Sequence, residues 1–300
     1  MRIAPSEFIH PEDEAALANL RAVPLFDTAL KALLKISAEE LMHGLNMAQK
    51  VRLNEQQLPE IYGHLPAICG LLGIDEPEFY LEMNPLPNAY TYGDTRICIT
   101  VTSGLVEMVE MVEPGELHAV IAHECGHILC RHVLYHTLAY YLSLFGSRLF
   151  GLTDLVTQPL QLALLYWSRR SEFSADRAAA LVCGGAQDIS QVMARLAGGP
   201  KSITARLDLE LYAQQADAYD KLLDGQWDKL LQNAAVMNMD HPLTAVRLRE
   251  ARRWCAGDDF PRLNAALHDP SAHDGSRCEK CGVTIGAGWK FCKGCGTPVH

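Results

Sequence analysis

Apolar positions recur at helical spacing from Asp13 to about Met47, with Pro24 interrupting, which predicts a pair of short amphipathic helices at the head of the chain. The period changes over 88–105. Ile97, Ile99 and Val101 alternate with polar or small residues between Gly93 and Gly104, the pattern of a β-strand entered through a turn. After Glu113-Pro114-Gly115 the helical period returns, and Leu117, Val120, Ile121, Ile128 and Leu129 make one stripe of a helix beginning near Glu116. Residues 134–167 are the most apolar stretch. His136, Arg148, Asp154, Gln158, Pro159 and Gln161 nevertheless interrupt every window long enough to span a bilayer, so peripheral membrane contact is the most that is expected. Helical spacing continues over 169–196, 207–223 and 241–254, and the polar run LHDPSAHDGS at 267–276 reads as a linker. The expected architecture is mainly α with a small β-sheet. Residues 1–84 are a helical lead-in, 85–266 the main domain, 267–276 the linker and 277–300 a separate tail.

Composition changes this picture little. The chain of 300 residues is 49% apolar and 21% charged, enough for a sizeable core without the surplus of a membrane bundle. Its net charge of -10 repels phosphate backbones, so no nucleic acid partner is expected. Acids near the start, where a signal peptide needs a basic and then an apolar segment, point to a cytoplasmic location. Six cysteines (Cys69, Cys98, Cys125, Cys130, Cys183, Cys255) are scattered among apolar neighbours and read as reduced, structural thiols.

The chemistry sits on the helix near Glu116. His123-Glu124-Cys125-Gly126-His127 is an HExxH arrangement whose two histidines, four apart, leave one helix face and can share a zinc ion. Glu124 then projects one residue round, placed to hold a water on the metal. Cys125, two residues from His123, points elsewhere and is not counted as a ligand. A catalytic zinc needs a third protein ligand and an open position, and Glu172 in the run RRSEFSADRAAA answers that need. Asp176, one turn further, can accept the remaining N–H of a ligating imidazole. The alanines beside it argue for close packing of this helix on another.

HExxH followed 45 residues after its second His by a Glu in an RSxExSAD setting resembles the HtpX-like family, relatives of the CAAX prenyl endopeptidases. Two further stretches match, Asn88-Ala89-Tyr90 with Ser103-Gly104-Leu105, and His241-Pro242 with Arg247, so the resemblance covers about 85–255. It implies a zincin-like α+β fold of gluzincin type and a zinc endopeptidase acting on protein or peptide, with a place in protein quality control. In it His123, His127 and Glu172 bind the catalytic zinc, Glu124 is general base and Asp176 supports a ligand. Asn88, Ala89 and Arg247 are candidate substrate contacts. His241 either stabilises the oxyanion or occupies the open metal position, unless Asp240-His241-Pro242 only starts a helix. Arg247 pairs with an acid such as Asp176 or with substrate carbonyls. Zinc peptidases commonly align substrate as an added strand, and residues 96–102 are expected to supply that edge.

The tail carries Cys278, Cys281, Cys292 and Cys295 in two CxxC-Gly turns, the pattern of a zinc ribbon holding a second, structural zinc. So short a module lacks a core of its own, and the metal would supply its folding free energy. Such a ribbon fits a protein partner. The competing reading is an adaptor, in which the ribbon binds proteins and the HExxH site is inactive or self-capped.

Overall fold

The computed structural model describes residues 3–23, 26–35, 38–109, 114–145, 154–221, 243–269 and 297–298. The sequence predicts two helices at the head of the chain, and the structure has three: α1 (Pro11–Arg21), α2 (Phe26–Lys35) and α3 (Ala38–Gln49). Helix α1 starts where its residues dictate. His10 accepts the Glu12 N–H as N-cap, Pro11 takes the first helical position, and Glu12, Asp13 and Glu14 meet the positive end of the dipole.

Short helices α4 (Pro59–Tyr62) and α5 (His64–Leu72) precede the sheet's centre. The sheet itself has four strands, β1 (Val51–Arg52), β2 (Glu78–Glu82), β3 (Ala89–Tyr92) and β4 (Cys98–Thr102), in the order β1-β2-β4-β3. β2 runs parallel to β4, and the other two pairings are antiparallel. The single strand expected over 88–105 is thus two strands joined by a turn at Gly93, whose φ of 126° suits only glycine. All five residues of β4 are buried, because the strand lies between two partners. This corrects the expectation for 96–102: both backbone edges of β4 are already paired, and the end strand next to it is β3.

The helical body follows as α6 (Ser103–Met108), α7 (Pro114–Leu129), α8 (Val133–Phe145), α9 (Asp154–Cys183), α10 (Gln187–Gly198), α11 (Lys201–Thr204), α12 (Leu209–Lys221), α13 (Thr244–Cys255) and α14 (Asp259–His268). Among the described residues, no helix is long and apolar enough to cross a membrane. The 30-residue α9 is the spine. Its first half packs with α1, α2 and α8 around the fully buried Trp167, and its second half joins the main core of α5, α7, α10 and the sheet. Between them Phe173 meets Ala216 of α12 and Val246 of α13.

The crossing of α7 and α9 is close because its residues are small. A Cβ on Gly126 would lie 2.8 Å from the Ala178 Cβ and 3.1 Å from the Ala175 Cα. At the other end of α7, the buried Glu116 is held by the Nε and Nη2 of Arg195 on α10, while Arg195 Nη1 donates to Thr204 Oγ1 at 2.6 Å. The HExxH helix is therefore fixed at both ends before any ligand arrives. His241 and the four tail cysteines lie outside the described residues, as does most of the linker.

Candidate metal centre

Helix α7 directs His123 and His127 toward α9, and Glu172 reaches back between them. The His123 and His127 Nε2 atoms are 3.2 Å apart, His127 Nε2 is 3.3 Å from Glu172 Oε1, and His123 Nε2 is 3.5 Å from Glu172 Oε2. Bonds of about 2.0–2.1 Å to a tetrahedral zinc place ligand atoms roughly 3.3–3.4 Å apart. The two ring nitrogens and the two oxygens of the Glu172 carboxylate thus approach one another at close to the separations one ion would impose. All three side chains are buried.

Charge makes the same demand. Among the described residues, Glu124, Glu172 and Asp176 are buried beside one cation, Arg247, so the cluster carries an excess of negative charge that a divalent ion would offset. In the metal-free state a proton takes up part of it. Burial pulls His123 down, but Asp176 and Glu172 override it and push its pKa up to about 10. His127 is lowered by burial, which its contact with Glu172 does not overcome.

His123 and Glu172 are both contacted from behind. His123 Nδ1 is 2.9 Å from Asp176 Oδ1, so Asp176 stands where an orienting carboxylate belongs. Of the partners the sequence leaves open for Arg247, the structure brings it to acids. Its Nε and Nη2 donate to Asp176 at 2.8 and 2.6 Å, and Nη1 is 2.7 Å from Glu172 Oε2. Burial would raise the Asp176 carboxyl, and Arg247 and His123 together more than offset this, holding it below the usual carboxylate range. Arg247 sits on α13, so the segment after 243 closes the back of the centre.

Asn88, Ala89, His123, Glu124 and Arg247 line one cleft, whose apolar floor includes Leu105, Val120 and Val192. Strand β3 forms one wall. Thr91, on the same face of β3 as Ala89, donates from Oγ1 to Glu124 Oε2 at 2.5 Å, tying the glutamate to the sheet. Cys125 turns away from this cleft against Cys69 of α5, and all six scattered cysteines are free thiols.

Three side chains of the centre escaped the sequence reading. Thr91 carried no motif, and its role exists only because β3 runs beside α7. His132 lies beyond the HExxH unit, and a tight turn brings it back: Arg131 adopts φ 62° and the His132 N–H bonds the His127 carbonyl at 2.9 Å. His127 Nδ1 then lies 3.0 Å from His132 Nδ1. Behind it Asp13 Oδ2 is 3.1 Å from His132 Nε2, across 119 positions of sequence that no local signal spans.

The model of Peptidase family M48 matches residues 56–255, which contain every one of these groups except Asp13. The chain is 32% identical over 260 residues to the plastoglobule-localized metallopeptidase 48, chloroplastic, of Arabidopsis thaliana, covering 86% of this chain and 74% of that protein. It is 26% identical to the protease HtpX homolog 2 of Methanosarcina mazei over 49% of this chain and 58% of that protein. The protease HtpX homolog of Ralstonia pickettii is likewise 26% identical, over 51% of this chain and 60% of its own length. The chain thus spans about three fifths of these two proteases. No solved structure gives a significant match. With a His-His-Glu cluster folded inside the matched region, the chain belongs to peptidase family M48, a family of metallopeptidases.

Proposed function

We propose that this chain is a zinc-dependent endopeptidase in which His123, His127 and Glu172 hold the metal and Glu124 is the general base. The observation that carries the reading is the approach of the His123 and His127 Nε2 atoms to each other, at 3.2 Å, and to the two oxygens of the Glu172 carboxylate, at 3.3 and 3.5 Å, beside a cleft into which Glu124 opens. When bound, zinc at this site would polarise the scissile carbonyl and acidify the attacking water. Glu124 takes the proton from that water and delivers it to the departing amine. Thr91 engages only Glu124 Oε2, so the carboxylate is held in one orientation for both transfers. Asp176 and Arg247 keep His123 and Glu172 in place, which supports a positioning role for Arg247 over direct substrate contact. Asn88 and Ala89, in the cleft wall at the start of β3, are the residues against which an extended peptide would lie. For His241 and for a structural zinc on Cys278, Cys281, Cys292 and Cys295, the support is the sequence pattern alone.

Glu124→Gln is expected to retain zinc and to lose casein cleavage by a factor of about 10³ or more, whereas His123→Ala loses both. A Glu124→Gln protein that still digests casein refutes the assignment. An intact substrate with zinc fully bound to the parent protein would instead favour a binding role. Metal analysis of the full chain is expected to give two zinc ions, falling to one when both Cys292 and Cys295 are replaced by serine.

A further inference from the structure

We propose that the loop joining β2 to β3 is a second substrate-binding surface, on which Met83 and Leu86 take an apolar segment of the polypeptide a few residues away from the bond to be cut. The inference rests on the proposed peptidase reading and adds to it a preference for extended chains rich in apolar residues. Met83 is 84% exposed and Leu86 71%, the highest values of any large apolar side chain among the described residues. Singly, such side chains are ordinary on a surface, but two on one short loop beside a cleft make a contact patch. The run Met83-Asn84-Pro85-Leu86-Pro87-Asn88 contains no ionisable group. Glu82, the acid just before it, is turned back into the fold, where it accepts from the Tyr90 hydroxyl and lies 3.8 Å from Lys50 Nζ. The partner this loop fits is therefore apolar.

The loop is held in shape by β4 and α6. The Asn84 N–H donates to Ser103 Oγ at 3.2 Å, and the Asn84 carbonyl accepts from Ser103 Oγ at 3.1 Å and from the Gly104 N–H at 2.9 Å. The Asn84 side-chain oxygen accepts the Leu86 N–H at 3.0 Å, and the Leu86 carbonyl accepts from Thr102 Oγ1 at 2.8 Å. Pro85 and Pro87 fix φ on either side of Leu86. Gly104 permits the close approach, since a Cβ there would lie 2.3 Å from the Pro85 carbonyl oxygen. The backbone under both side chains is thus ordered in advance, and little conformational entropy is lost on contact. Position then selects the occupant. Asn88 and Ala89 line the cleft with Glu124, and Leu86 precedes Asn88 by two residues, so their Cα atoms are at most about 7 Å apart. An extended peptide rises about 3.3 Å per residue, so one lying against Asn88 reaches Leu86 within roughly two or three residues. The chain that meets Met83 and Leu86 is the substrate itself as it runs out past the start of β3.

The test is the full chain carrying both Met83→Ser and Leu86→Ser, assayed in zinc-containing buffer. Both side chains lie outside the core, so the fold is retained. The substrates are quenched fluorescent peptides with one central cut sequence: a short one, and longer ones extended at both ends by about four residues, either leucines or serines. Leucine extension is expected to improve cleavage by the parent, and the double variant to raise the KM of that peptide about tenfold with kcat unchanged. The short and serine-extended peptides should be cut equally well by both proteins. Leu162→Ser, which removes an exposed leucine from the first half of α9, is expected to match the parent. The inference is overturned if leucine extension brings the parent no advantage, if the double variant keeps that advantage, or if Leu162→Ser loses as much of it. Co-sedimentation with phosphatidylcholine vesicles tests a lipid partner: vesicle binding lost in the double variant, with peptide kinetics unchanged, gives the loop to a membrane surface and also overturns it. If the parent cuts none of the peptides, the proposed function fails, and the loop is then judged by binding alone. Fluorescence anisotropy of the labelled leucine-extended peptide on the Glu124→Gln chain should show affinity about tenfold weaker once both serines are added, and unchanged affinity refutes the assignment.

Discussion

Gly126 lies between His123 and His127 where α7 touches α9, so Gly126→Ala tests whether that contact sets the geometry of the proposed metal site. The added Cβ would meet the Ala178 Cβ at 2.8 Å, the Ala175 Cα at 3.1 Å and the Ala175 carbonyl oxygen at 3.2 Å. Two of these atoms are backbone, and none can rotate aside. Replacing a helical glycine by alanine gains about 1 kcal/mol of helix propensity, while overpacking costs about 1–3 kcal/mol. The neighbours are rigid, so the upper half of the cost applies and a net loss of about 1–2 kcal/mol is expected. For a chain of this size that lowers Tm by roughly 2–8 °C. To relieve the overlap the helices must part by several tenths of an ångström, which stretches the His-to-Glu172 separations and weakens zinc about tenfold or more. Gly70→Ala is the matched control. It lies exposed in α5 with nothing within 4 Å of its added Cβ, so it should gain up to about 1 kcal/mol and leave zinc affinity unchanged. Thermal melts of the metal-free proteins and chelator competition measure both effects. If Gly126→Ala melts as high as Gly70→Ala and holds zinc like the parent, the close helix crossing is not what places the ligands.

Two further outcomes follow from the same geometry. His123 is raised from 6.5 to about 10 in the metal-free fold, so its contribution to stability is complete below about pH 6.5 and is lost as pH rises toward 10. Metal-free protein should therefore melt lower at pH 9 than at pH 6.5. Because zinc must displace that proton, affinity should rise about tenfold per pH unit over pH 7–9, and a flat profile in chelator competition would contradict the pairing of His123 with Asp176. Arg131, exposed and left-handed at φ 62° in the turn that returns His132, should be improved by glycine. Arg131→Gly is expected to stabilise the fold by about 0.5–1 kcal/mol in denaturant melts with zinc binding intact, and a loss of stability would mean the guanidinium holds that turn.

Much of the centre was readable because it is periodic. The spacing of four between His123 and His127, and between Glu172 and Asp176, is a property of the helix, so it puts each pair on one face wherever the helix packs. The alanines of α9 announced a close neighbour for the same local reason, and the buried Ala175 and Ala178 are where Gly126 arrives. Strand placement was less legible. The alternation at Ile97, Ile99 and Val101 marks a strand but does not say which strands flank it, and β4 turned out to lie between β2 and β3. Pairing order depends on how helices cover the sheet, which no window of sequence contains.

What the sequence determined by itself, then, is the proposed donor set: two imidazoles and a carboxylate on helices whose faces are set by their own repeat. What the tertiary structure decided is everything that acts across chain distance, namely Thr91 on Glu124, Arg247 on Asp176 and Asp13 behind His132. The physical reason is that a helix repeats every 3.6 residues and so encodes its own face, whereas a hydrogen bond between elements depends on a packing solution shared by the whole core.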